Sequence, residues 1–169
     1  MSKASLASIA ATVLALLCSQ AQAAQPSRVD PAHDEAALRS LVAYGTAEIR
    51  SRDDLVDHLR NHGSHSPIAA LRPAARKRFM ESLAFNENGL TQYRYDVLRD
   101  NLSASQSYRI LKLFGAEGSG SFLRSSRVES ELDAAITSLR MMEDHKGAKC
   151  VSPHNCQKGW VDFICMSGC

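Results

Sequence analysis

Every cysteine after Cys18 lies in the last twenty residues, at Cys150, Cys156, Cys165 and Cys169. Four thiols crowded into one Gly- and Pro-punctuated stretch call for either disulfides or a bound metal, and the compartment decides between them. The start of the chain speaks to the compartment. Lys3 precedes a largely apolar run from Leu6 to Cys18, and Ala21-Gln22-Ala23 has the A-x-A form of a leader cleavage site. This pattern predicts a signal peptide over residues 1–23 and an exported protein, bacterial periplasmic or secreted.

Lipoprotein signals carry small residues before the acylated cysteine, whereas Leu16 and Leu17 stand before Cys18. Cleavage after Ala23 therefore removes Cys18 and leaves an even set of four, which in an oxidising compartment predicts disulfides. Spacing permits Cys150–Cys169 with Cys156–Cys165, or the crossed alternative, ahead of two local loops. A zinc site is the rival, but only Cys165 and Cys169 have the pair spacing typical of structural zinc. No C-x-x-C motif offers a redox thiol.

The apolar run of the leader is about a dozen residues against the roughly 20 that span a bilayer, and no later stretch is longer, so no membrane span is expected. The formal charge is only +2, which argues against nucleic acid as a partner. From Arg72 to Arg127 there are ten Lys/Arg against five Asp/Glu. This basic middle lies between acidic ends and is as well explained by internal complementarity as by a binding face.

Residues 24–30 lack apolar periodicity and read as a disordered lead-in. Beyond Pro31, Leu38, Leu41, Val42, Gly45 and Ile49 form one helical stripe. Ser51 caps a further helical segment with Leu55, Val56 and Leu59, and Asn61 or Gly63 can stop it. Pro67 opens a single turn and Pro73 a helix to about Phe85. Between Leu90 and Asn101 the pattern suits either a strand or a helix; with no partner strand in view, a short helix from Tyr95 is expected. Ser103-Ala-Ser-Gln106 is a capping box, and Gly115 closes the helix it starts. The stretch Gly118 to Ser121 reads as a flexible linker, without the strand or the Gly-Lys-Ser/Thr of a phosphate loop. Val128, Leu132, Ala135, Ile136, Leu139 and Met142 give the clearest helical repeat.

The expected architecture is all-α: a small bundle of five or six short helices over residues 31–147, with a disulfide-stapled, cysteine-rich tail over 148–169 packed on it. A last helical turn over Trp160 to Met166 would bring Cys165 and Cys169 onto one face.

The second chemical cluster is His58-Leu-Arg-Asn-His62-Gly-Ser-His65, preceded by Asp54. His58 and His62 are one helical turn apart, a spacing suited to two metal ligands, and Asp54 lies one turn earlier. Leu59 replaces the glutamate that a zinc protease needs. Without a metal, these side chains make a polar helix end in which imidazoles favour the C-terminal dipole. No catalytic residue, no hydrolase nucleophile frame around Ser119 or Ser121 and no organic cofactor are expected. The leading reading is a non-catalytic, exported binding protein whose partner is a protein or envelope component. The alternatives are an envelope metal-binding protein using His58, His62, His65 and Asp54, and a small secreted hydrolase or cell-wall-active enzyme.

Overall fold

The computed structural model describes residues 31–139, 141 and 144–169. The segments expected to be a signal peptide and a lead-in, and Met142, lie outside the described residues. Six α-helices are present among the described residues: α1 (Pro31–Thr46), α2 (Arg52–His62), α3 (Pro73–Ser82), α4 (Tyr95–Asn101), α5 (Ala104–Leu113) and α6 (Glu131–Thr137). None is long and apolar enough to cross a membrane.

The all-α bundle is overturned by six strands: β1 (Ala84–Asn86), β2 (Gly89–Arg94), β3 (His145–Lys146), β4 (Ala148–Ser152), β5 (Asn155–Lys158) and β6 (Phe163–Cys165). Four of them form an antiparallel sheet in the order β1-β2-β6-β3, and β4 and β5 make a separate hairpin. The fold is therefore mixed helix and sheet. The expected helical turn at Trp160 to Met166 is replaced by β6, which pairs with β2 through Gln92–Cys165, Tyr93–Ile164 and Arg94–Phe163. Tyr93 and Tyr95 do alternate as a strand entering a helix, because Gly89–Arg94 finds its partners in β1 and in distant β6. The helix from Tyr95 is present as α4. The α3 helix stops at Ser82, earlier than expected, because Ala84–Asn86 turns back on β2 across Asn86–Gly89.

The core gathers Phe79, Tyr93, Phe114, Phe122, Ile164 and Met166, all at most 1 % exposed. Phe122 faces both Tyr93 and Tyr95, at ring centroids of 6.4 and 5.5 Å. It belongs to the stretch after Glu117, which corrects the flexible-linker expectation: Glu117–Ser119 and Ser121–Ser125 are two 3-10 turns, and Phe122 and Leu123 are buried in the core. Gly115 has φ +65°, and a Cβ there would strike the backbone carbonyl of Ala43 in α1. That position accepts glycine both for its dihedral and for the close approach.

Cys150 is bonded to Cys169 and Cys156 to Cys165. Cys165 and Cys169 are buried with Ala148, and Cys150 and Cys156 pack against them. The bridges therefore tie the β4–β5 hairpin to β6. Phe163 and Ile164 are buried, whereas Trp160 and Val161 face solvent. Lys149 lies over the Trp160 and Phe163 rings, at 3.8 and 4.1 Å from their centroids. Closing loops of separation 19 and 9 stabilises by about 3 kcal/mol each in the chain-entropy picture. Reduction is accordingly expected to lower the guanidinium midpoint, followed by far-UV dichroism with and without a phosphine reductant; an unchanged midpoint would show that the bridges add nothing to the sheet.

Candidate metal centre

The chain leaves α1 at Thr46 and enters α2 at Arg52, and the linker between them is pinned where the Ile49 N–H donates to the Leu113 carbonyl at 2.8 Å. This places Glu48 beside α2. At the start of α2, Ser51 caps the helix by accepting from the Asp54 N–H at 3.1 Å, and Asp54 Oδ2 accepts from the Arg50 N–H at 2.9 Å. Asp54 is thus engaged with backbone. The Arg50 N–H and then Ser51 hold its carboxyl below the ordinary aspartate value. It is not among the ligand-bearing groups near the histidines, and neither is His65, which lies exposed in the turn after α2.

His58 and His62 do converge. Their rings lie 4.6 Å apart, and both meet Glu48 rather than Asp54. His58 Nδ1 is 2.5 Å from Glu48 Oε1, and His62 Nε2 is 3.3 Å from the same oxygen. His58 is buried, whereas Glu48 and His62 are about half exposed. The other nitrogen of His58, Nε2, is 2.8 Å from Ser66 Oγ. Ser66 is itself fixed as the cap of the 3-10 turn Pro67–Ala70, with its Oγ accepting from the Ile68 N–H at 3.2 Å.

In the hydrogen-bonded arrangement, Nδ1–H donates to Glu48 and Nε2 accepts from the Ser66 hydroxyl. Moving the ring proton to Nε2 lets it donate to Ser66 Oγ and frees Nδ1 as a ligand, the outer-shell device that orients metal-binding histidines. A metal about 2.0–2.2 Å from its nitrogen and oxygen donors requires those donors to be a little over 3 Å apart. The Glu48–His62 pair already has that spacing, at 3.3 Å. The shorter His58–Glu48 contact is a direct hydrogen bond, which a metal entering between the two would replace. Two imidazoles and a carboxylate leave coordination positions facing solvent.

The hydroxyl–imidazole–carboxylate order Ser66–His58–Glu48 also resembles the relay of an acyl-transfer nucleophile. Ser66 is 4 % exposed, its Oγ takes the Ile68 N–H, and the Ala69 N–H is bound to its own carbonyl. Pro67 has no N–H to offer, so the turn provides no oxyanion donor. The sulfurs of Cys150, Cys165 and Cys169 lie near one another, but all are consumed in disulfides and offer no thiolate.

Part of the basic run is taken up in structural pairs. Arg78 and Arg94 both reach Asp96, Arg94 also reaches Asp162, Lys77 pairs with Glu81, and Arg72 donates to Asn101 Oδ1. Tyr93 and Tyr95 are buried and Tyr108 is half-buried on α5.

No protein-family model, no curated protein and no solved structure matches the chain.

Proposed function

We propose that the protein is an exported domain that binds a divalent transition-metal ion through His58, His62 and Glu48. The observation that carries this reading is His58: a buried imidazole, oriented from behind by Ser66, whose remaining nitrogen converges with His62 on one half-exposed carboxylate. Imidazole with carboxylate suits zinc, nickel or copper rather than calcium or magnesium. The leader pattern and the disulfides support a location outside the cytosol. Open positions at a surface centre suit uptake, delivery or buffering of the ion.

Calorimetry with zinc and with copper on chelator-stripped protein is the test. One equivalent is expected to bind at about micromolar affinity or tighter, and the ion at 100-fold above Kd then stabilises the fold by about 2.7 kcal/mol. His62→Ala and Glu48→Gln each remove a half-exposed ligand and are expected to cost at least about tenfold in affinity, and His62→Ala is expected to leave the metal-free melting temperature unchanged. His65→Ala and Asp54→Asn are expected to leave affinity in place. Equal affinity in wild type and His62→Ala would end the proposal. Binding is expected to weaken in acid, because protons compete for the imidazoles.

A further inference from the structure

The helix with the clearest apolar repeat is not covered. Of the stripe Val128, Leu132, Ala135, Ile136 and Leu139, only Ile136 is buried; Leu132 is 48 % and Leu139 43 % exposed. Leu132, Ala135, Ile136 and Leu139 face α5 across a groove of about 370 Å³, whose α5 wall includes Tyr108, Arg109 and Lys112. Arg109 and Lys112 stand one turn apart, which puts both cations on one edge of the helix. They also line a second groove of about 340 Å³, which reaches Thr46, Glu48 and Leu113. The two cations thus form the ridge between an apolar groove and a more polar one.

Neither Arg109 nor Lys112 makes an ion pair among the described residues. Glu117 lies close enough to Lys112 for the two charges to interact, and burial raises its carboxyl above the ordinary glutamate value. An apolar trough with two cations at one rim, neither of them in an ion pair among the described residues, is complementary to one kind of ligand: an apolar chain ending in an anion. A second copy of the chain suits it less well. Two-fold pairing through this groove brings each Arg109–Lys112 ridge towards its own image, like charge against like.

We propose that the α5–α6 groove binds a single-chain anionic amphiphile, with its carboxylate on Arg109 and Lys112 and its alkyl chain along Leu132, Ile136 and Leu139. The arginine fork can take the carboxylate bidentately, and Lys112 adds a point charge beside it. Each methylene laid against the leucines strengthens binding, so affinity should rise with chain length. The site uses none of the three metal ligands and is expected to work in metal-free protein.

The experiment is a titration of the full chain, stripped of metal, with dodecanoate below its micelle concentration, alongside acetate and dodecyltrimethylammonium. Dodecanoate is expected to bind one to one, at least about 100-fold more tightly than acetate and at least about tenfold more tightly than the cationic amphiphile. The double variant R109Q/K112Q is expected to lose about tenfold or more for dodecanoate and to bind dodecyltrimethylammonium at least as tightly as the wild type does. L139D should weaken both chains. Equal affinity for the two amphiphiles, or dodecanoate binding indifferent to R109Q/K112Q and L139D, overturns the proposal. So does a dimer by analytical ultracentrifugation that L139D dissolves, since a second copy would then be the occupant. Zinc titration of L139D, whose side chain lies outside the groove that reaches Glu48, separates this site from the metal centre: zinc affinity is expected to be unchanged whichever way the amphiphile result falls.

Discussion

Phe122→Ala is expected to lower the free energy of unfolding by about 3–5 kcal/mol, the cost of deleting a fully buried aromatic side chain and leaving a cavity. The side chain is 1 % exposed and sits against Tyr93 of β2 and Tyr95 at the start of α4. It therefore joins the sheet to the helices from a segment with almost no regular structure of its own. Urea unfolding followed by tryptophan fluorescence gives the test: the midpoint should fall by a large fraction of its value with the slope preserved. A loss below about 1 kcal/mol would mean that this stretch behaves as the surface connection its composition suggests. Ser121→Ala, one residue earlier, serves as the control and is expected to change little.

The same residue shows why the fold was only partly legible in the sequence. Helix starts were readable because their signals are local: the Ser51 cap, the Ser103–Gln106 capping box, Pro67 and Pro73 at first turns, and the helix beginning at Tyr95 all have counterparts in the structure. The strands were not readable, because each is two to six residues long and the ladder joining Tyr93 to Ile164 spans most of the domain. Periodicity also misled at both ends of the helical set. Leu38, Leu41 and Val42 of α1, like Leu132 and Leu139, are exposed, while Ile49, read as part of the α1 stripe, is buried outside that helix.

The candidate centre divides in the same way. His58 and His62 were legible because one helical turn separates them. Asp54 satisfies the same spacing but lies in the first turn of α2, where its carboxylate accepts from the Arg50 backbone N–H and is drawn down in pKa by Ser51 as well. Glu48 was invisible to helical spacing, since it occupies the linker before α2 and meets His58 and His62 from outside their helix. An acid in a short linker just before a histidine-bearing helix was the one available hint. Ser66 read as the cap of a turn, which it is, but its contact with His58 depends on how that turn folds back on α2.

Asp144→Asn is expected to remove most of the pH dependence of stability between mildly acid and neutral solution. Asp144 precedes β3, and burial pushes its carboxyl from 3.8 up to about 7, with the Ser119 side chain and the Ser167 backbone drawing it part of the way back. The phenols of Tyr44 on α1 and Tyr93 on β2 face it, and both are pushed upward, first by their own burial and then by the Asp144 charge. No cation faces this carboxylate among the groups that act on it, and its Oδ2 lacks a hydrogen-bond partner. The folded state therefore holds the proton that the unfolded chain releases. The stabilising contribution is complete below the unfolded value of 3.8, declines as pH rises from there, and is lost once pH passes about 7. At 1.36 kcal/mol for each unit of pKa, the whole effect is on the order of 4 kcal/mol. Glu117, also raised by burial, acts in the same direction. Unfolding midpoints measured from pH 4 to 8 should fall with rising pH in the wild type and much less in Asp144→Asn, which becomes the more stable protein at pH 8. Parallel curves for the two proteins would show that Asp144 ionises without cost. The carboxylate would then have to be solvated in the folded state rather than enclosed between Tyr44 and Tyr93.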